Sequence, residues 1–474
     1  MSKKVIVIGG GPGGYTAAIR LAQLGAQVTL IEKDNQGGTC LNRGCIPTKA
    51  LVKSAEVANT ISNASSFGVN VTGFEIDFQK IIQRKNDIVK KLCDGILALL
   101  KANKIDFLRG CGYFVDKNTV QVKLTGELET KTLHADNIII ATGSVPLIPP
   151  IEGAKLSGIH TSDTIMDIEK RPESLTIVGG GIIGMEFASI FQSLGTKVTV
   201  IEALPTILGK IDSDIVKRIL PSFKKRGIDI HTSTSISSIS HLSNEYTLAA
   251  QSKTGSIEIK SESLLIATGR KSFTEGLSLE NLEIELNRSS ILVDVFGRTT
   301  TENIYAIGDV TGGWMLAHTA AHQGMMVAHH IMDNGEIPHT LPMGHNNPVA
   351  TVPSCIFTFP EIASAGLTES DLKEQDIPYK SSRFMFGANG KALCLGEGEG
   401  FVKVLASPEG KVLGVHIMGP NASDIIHEAV LAIDKGITTN ELSHIIHAHP
   451  TLSESLSEAF MGIEGMAIHM TNHS

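Results

Sequence analysis

At 474 residues, with 42% hydrophobic and 19% charged residues, the chain has the length of about three domains and enough apolar material to give each a core. Its net charge of −8 argues against nucleic acid as a partner. Six cysteines are too few for a disulfide scaffold at this length, which points to a reducing compartment.

Met1-Ser2-Lys3-Lys4 runs at once into Val5-Ile6-Val7-Ile8. No apolar signal region precedes the first strand, and no apolar run reaches the length of a membrane span. The expectation is a cytoplasmic protein without a membrane partner. Val5 to Ile8 is a continuous β-branched run, as in a strand buried on both faces. It leads into Gly9-Gly10-Gly11-Pro12-Gly13-Gly14, then a helical stretch from Tyr15 to Leu24, then a strand from Gln27 to Ile31 that ends in Glu32. Gly9, Gly11 and Gly14 supply G-x-G-x-x-G. Such glycines allow a tight turn and let a pyrophosphate approach a helix N-terminus, while the acid accepts hydrogen bonds from a ribose.

Gly37-Gly38-Thr39-Cys40-Leu41-Asn42-Arg43-Gly44-Cys45-Ile46-Pro47-Thr48-Lys49 follows. Pro is tolerated in the first turn of a helix, so Cys45 is expected at a helix N-terminus, where a thiol pKa falls. Cys40, in the Gly-rich segment upstream, is close enough to bridge it. This suits a redox pair, with one thiol exposed for exchange and the other a stabilised thiolate. Cys93, Cys111, Cys355 and Cys394 show no metal-ligand spacing and read as buried thiols; no metal site is expected. Asp87 to Leu100 reads as a scaffold helix.

Asn137-Ile138-Ile139-Ile140 leads to Ala141-Thr142-Gly143, and prolines 146, 149 and 150 mark a linker near 145–155. The dinucleotide unit then recurs. Leu175 to Val178 precedes Gly179, Gly181 and Gly184, a helical stretch runs from Met185 to Leu194, and Lys197 to Ile201 ends in Glu202. Ala203, Leu204 and Pro205 come next. No Arg stands ready for a 2′-phosphate, so NAD is expected over NADP, with Lys197 the nearest cation. A second Ala267-Thr268-Gly269-Arg270 follows the strand 263–266. Asn303 to Ile307 is another buried strand, ending at Gly308-Asp309, where ligands of α/β sheets sit. Ala317 to Ile331 is helical.

From about residue 346 the style changes to short β-like runs (354–359, 401–405, 412–417), followed by helices at 422–434 and 439–446. The fold class is therefore α/β: two Rossmann-like dinucleotide-binding domains and a C-terminal α+β domain. The expected division is 1–150 with 273–345, 151–272, and 346–474. Near the end, His449 precedes Pro450, and Thr451 stands three residues before Glu454. The spacing alone fits a helix capping box as well as a His–Glu dyad.

Together these motifs resemble the flavin-dependent pyridine nucleotide-disulfide oxidoreductases over the whole length. The likeness is strongest to members that oxidise dihydrolipoyl groups of 2-oxo acid dehydrogenase complexes. It rests on Gly37 to Lys49, the acid closing the second unit, Tyr305 to Asp309, and His447 to Glu454. The resemblance implies FAD in the first unit and NAD in the second. It adds Thr39, Gly112, Thr142, Gly143, Asp309 and Ala317 to the flavin site, and Gly269 and Arg270 to the cofactor-binding set. It pairs Lys49, near the flavin, with Glu186. It also implies a homodimer through the C-terminal domain, with His449 and Glu454 serving the other subunit's disulfide, and lipoyl domains and the acyltransferase core as partners. Cys40 is then the exposed sulfur that exchanges and Cys45 the thiolate beside the flavin. His427 and His447 take no role. An NADPH-linked glutathione-type reductase would want cations after Glu202, and a mercuric reductase a C-terminal cysteine pair; neither is present.

Overall fold

A computed structural model describes residues 2–332 and 351–471. The strand Lys4–Ile8 is buried from Val5 onward because parallel neighbours flank it on both sides, Gln27–Glu32 and Asn137–Ile140. Ile304–Ala306 extends this sheet on one edge, and Asp106–Asp116 on the other. The last strand turns into an antiparallel meander with Thr119–Leu124 and Thr130–His134. The helix after the first glycine loop is Pro12–Gln23. It begins earlier than the periodicity suggests because Pro12 occupies the first turn, where a missing N–H costs nothing. It packs against the helix Ala317–Met332 at a glycine crossing: a Cβ on Gly324 would lie 2.4 Å from the carbonyl oxygen of Gly13.

The second unit repeats the design in a five-stranded parallel sheet. Its order is Asp229–His231, Lys197–Ile201, Ser174–Val178, Ser263–Ile266 and His160–Thr161. The helix Ile182–Ser193 follows its glycine loop. A three-stranded antiparallel sheet, Ser235–Leu242, Glu245–Ser252 and Gly255–Ser261, flanks it and was not expected. The stretch expected as a linker near 145–155 is partly structured. Ser144–Pro146 pairs antiparallel with Arg270–Ser272, so the two Ala-Thr-Gly turns are stitched together.

The C-terminal part holds a five-stranded antiparallel sheet: Ser354–Ile356, Glu361–Gly366, Val412–Gly419, Phe401–Ala406 and Lys380–Met385. Helices Ala422–Lys435 and Glu454–Ile463 pack on one face. The other face meets the second unit. One apolar core joins Leu51, Val52 and Ala55 with Phe187 and Phe191, and with Ile362, Phe401 and Met418. The helix Cys45–Ser62 is thus clamped between the parts it must serve, and truncating Leu51 there would cost about 2–5 kcal/mol.

Two helix expectations are corrected. The scaffold helix runs Phe78–Ala102, starting from the N-cap Asp77, whose side chain accepts the Lys80 N–H. The late helix stops at Leu442, after Thr439. Cys40, expected in the Gly-rich segment upstream of Cys45, lies there on a short helix, Gly38–Arg43. The expected boundary near 346 falls outside the described residues. Among the described residues no helix is long and apolar enough to cross a membrane.

Candidate active site

The cysteine segment rests directly on the first glycine loop. A Cβ on Gly38 (φ +57°) would stand 2.6 Å from the Cα of Gly11, so only glycine permits this approach. Cys40 sits within the short helix, and Cys45 begins the next one. The two thiols form a hydrogen bond that lowers the Cys45 pKa to about 7; burial opposes this and the Lys49 charge assists it. The same bond, with burial, pushes the Cys40 thiol up. The expected exposures are reversed. Of the two, which both line the cavity described below, Cys45 is exposed and Cys40 half-buried. The other cysteines are mostly not buried either: Cys93 is, but Cys111 and Cys394 are exposed and Cys355 is half-buried.

Lys49, one turn beyond Cys45, pairs with Glu186 as expected, its Nζ 3.0 and 3.1 Å from the two carboxylate oxygens. Glu186 Oε1 also accepts the Phe357 N–H at 2.9 Å, and the ammonium lies 4.2 Å from the centre of the Phe357 ring. First unit, second unit and C-terminal segment meet at this ion pair.

A continuous cavity of about 1770 Å³ opens in front of the cysteines. A single small-ligand pocket spans roughly 300–1,000 Å³, so this one has room for two extended ligands. It is lined by Cys40, Cys45 and Lys49, by Gly9, Gly11 and Glu32, and by Gly179, Gly181 and Glu202. Thr39, Gly112, Thr142, Gly143, Gly269, Arg270, Asp309, Ala317 and Glu186 line it too. The residues fit two dinucleotides. A Cβ on Gly181 meets nothing within 4 Å, and one on Gly11 only the Gly38 Cα at 4.0 Å; both loops present bare backbone to the space. Gly14 and Gly184 are corrected: they do not line the cavity. A Cβ there would come within 1.8 Å of the Gly9 oxygen and 2.0 Å of the Gly179 oxygen. Their job is to let each helix close on its own loop.

The two acids are held identically. Glu32 accepts the N–H groups of Gly10 at 2.7 Å and Asp34 at 2.8 Å; Glu202 accepts those of Gly180 and Leu204, both at 2.7 Å. Burial raises the Glu32 pKa, and the Gly10 hydrogen bond works against that rise. Asp309 is also lifted by burial, opposed by the Ser144 hydroxyl, which donates to it at 2.6 Å. Arg270 donates to Ser144 at 2.8 Å and to Asp163 at 3.1 Å. This polar chain was missed, though its signal was present: a polar residue directly follows each Ala-Thr-Gly. Lys197 is exposed at the start of its strand, as a solvated strand-edge residue would be, and it does not line the cavity, whereas Lys210 does.

His449 lies elsewhere. Its Nδ1 is 2.9 Å from Glu454 Oε1, and its side chain is 79% exposed. It does not line the cavity of its own chain. Glu454 Oε2 accepts the Thr451 N–H at 2.7 Å, so half of a capping box coexists with the dyad. The Thr451 hydroxyl turns away to the Ala448 carbonyl, and the helix N-cap is Ser453. The His449-Pro450 bond is cis. His447 has a partner of its own, Glu428 at 3.1 Å, which raises its pKa. Among the described residues, His427 bonds the Asp424 carbonyl at 3.4 Å.

Residues 3–324 match the family described as pyridine nucleotide-disulphide oxidoreductase, and residues 352–460 match the dimerisation domain of that family. A dihydrolipoyl dehydrogenase of Bacillus subtilis is 41% identical over 477 residues, covering 98% of each chain. One from Chlamydia muridarum is 39% identical, covering 98% of this chain and 97% of its own. Among solved structures, LpdA from Mycobacterium tuberculosis superposes with a TM-score of 0.88 at 28% identity, covering 97% of this chain and 99% of its own. The HOCl-induced flavoprotein disulfide reductase RclA of Escherichia coli, as a Cu(II) complex, gives 0.86 at 30% identity with the same coverage.

Proposed function

Because this chain belongs to the pyridine nucleotide-disulphide oxidoreductase family, we propose that it oxidises dihydrolipoyl groups and passes the electrons to NAD+. One observation carries this reading: the cysteine pair, both dinucleotide loops and the Lys49–Glu186 pair share a single cavity. FAD, when bound, relays an electron pair between the cysteine dithiol and NAD+. Residues 1–150 with 273–345 would hold the flavin, 151–272 the NAD, and 346–474 would pair two copies in a homodimer.

The chain's own side chains divide the work. His449, oriented by Glu454, takes a proton from a dihydrolipoyl thiol presented to the other subunit's disulfide. The resulting thiolate attacks Cys40. Exposure does not favour Cys40, but the leaving group does: attack there expels Cys45, whose low pKa makes it the better leaving thiolate. The second dihydrolipoyl thiol then closes the substrate disulfide, leaving Cys40 and Cys45 reduced. Lys49 steadies the Cys45 thiolate, and Glu186 holds Lys49 in place. The Glu202 carboxylate, with Ala203, Leu204 and Pro205 and no Arg directly after it, disfavours a 2′-phosphate. Lipoyl domains and the acyltransferase core of 2-oxo acid dehydrogenase complexes are the proposed partners, and the reducing cytoplasm the proposed compartment.

The test is a paired assay of the FAD-loaded enzyme with dihydrolipoamide and NAD+ against glutathione disulfide and NADPH. Turnover should be confined to the first pair. Efficient NADPH-linked glutathione reduction would overturn the proposal.

A further inference from the structure

Lys403 lies on the C-terminal sheet, on the face turned toward the second unit. Its neighbours there, Phe401, Met418 and Ile362, belong to the apolar core. Yet Lys403 is 1% exposed, as is Asp212 across the junction. Its ammonium lies 3.0 Å from both Asp212 oxygens, 2.8 Å from Asp214 and 2.6 Å from Glu369. Removing a charge from water on this scale is tolerated only with such partners. Well-packed apolar residues often stabilise such a site equally well. What they would not do is fix one backbone position.

The position held is informative. Asp212 caps the helix Ser213–Lys225 through the Asp214 N–H at 3.0 Å, and it closes the segment 203–212. That segment walls the cavity with Leu204, Leu208, Lys210 and Ile211. From Asp212 the chain leads back by short bonds: Ile211 N–H to the Leu208 carbonyl at 2.9 Å, then Leu208 N–H to the Gly180 carbonyl at 2.9 Å. Gly180 N–H in turn donates to Glu202 at 2.7 Å.

We infer that Lys403 is a positioning residue for the nicotinamide nucleotide, holding the 203–212 wall and the Gly180–Glu202 loop in register from the C-terminal sheet. This rests on the reading that the second unit binds NAD. The geometry separates the role from general stability: Asp214 touches the same ammonium and lies outside the path to Glu202. The three acids are not left as a bare negative cluster, since Arg383 also pairs with Asp214 and Lys373 with Glu369.

The experiment uses FAD-loaded enzyme carrying Lys403→Met, Asp212→Asn or Asp214→Asn. Asn still caps a helix, so Asp212→Asn removes the charge without removing the cap. Calorimetric titration of the oxidised enzyme with NAD+ should show affinity falling about tenfold in Lys403→Met and about threefold in Asp212→Asn, within the range of mutations that modulate coupled sites. Asp214→Asn should leave it within about twofold. Anaerobic flavin bleaching by dihydrolipoamide, which needs only the cysteine side, should keep its wild-type rate in all three. Unchanged NAD+ affinity in Asp212→Asn overturns the inference even if Lys403→Met fails to fold. So does an equal loss in nucleotide affinity and flavin bleaching. If wild-type enzyme binds NAD+ but is not bleached by dihydrolipoamide, the functional reading fails and the positioning role is still decided by the titration.

Discussion

The two dinucleotide units have nearly the same skeleton and do different work. Gly9 and Gly179 share φ +111°; Glu32 and Glu202, 170 positions apart, accept the same pair of backbone N–H groups at matching distances. They diverge only after the acid. The first unit runs into Gly37-Gly38 and lays its cysteines on its own glycine loop. The second runs into 203–212 and hands that wall to Lys403 on another sheet. The loop and acid set where a dinucleotide sits; the next dozen residues decide what it is used for.

The largest effect that sharpens this contrast comes from the segment only the first unit has. Cys45→Ser should abolish dihydrolipoamide oxidation, because the exchange step loses its leaving thiolate. It should leave FAD bound and leave NADH-driven reduction of a soluble artificial acceptor intact, since neither glycine loop changes. Normal lipoamide turnover in this variant would break the assigned relay. Loss of FAD would instead show that the first unit's two tasks are not separable.

A smaller effect should fall differently on the two loops. Gly11→Ala and Gly181→Ala place a methyl group where no protein atom lies closer than 4.0 Å, so the fold should tolerate both. In Gly11→Ala the methyl meets the flavin side, and purified enzyme should carry less FAD. In Gly181→Ala the flavin content should be normal while the KM for NAD+ rises about tenfold, the penalty of about 1.4 kcal/mol for one displaced phosphate contact. If both variants lose FAD equally, the assignment of one nucleotide to each loop is wrong.

The parts of this design that were readable in advance were local. Glycine spacing, the acid after the second strand and Pro47 beside Cys45 each act within a few residues, so the sequence carries them. The missed parts involve partners far apart in the chain. Lys403 stands in the run Phe401-Val402-Lys403-Val404, where it reads as one solvent-facing residue on a strand; its burial depends on Asp212, Asp214 and Glu369, the first of them 191 positions away. The hairpins between Ser235 and Ser261 were invisible because serine-rich strands carry little β signal. From sequence Cys40 reads as the exposed thiol, since the helix that contains it, Gly38–Arg43, six residues long, is too short to show a period.

The smallest expected effect tests the point where the units touch. Lys49 comes from the first unit and Glu186 from the second, and they act on the Cys45 thiol in opposite senses: Lys49 lowers its pKa and Glu186 raises it. In the reduced enzyme, alkylation by iodoacetamide reports the thiolate, so its rate should rise with pH and reach half-maximum near the Cys45 value of about 7. The two thiols titrate as a pair, so this midpoint belongs to the dithiol. Lys49→Met removes the stabilising cation and should move the midpoint up by about one unit, typical for loss of a nearby opposite charge. Glu186→Gln removes the opposing anion and leaves Lys49 unneutralised, so the midpoint should move down by less than about one unit. Shifts of the same sign in both variants would mean that the pair acts through packing against Phe357 and not through charge. The second unit would then be a passive neighbour of the thiol.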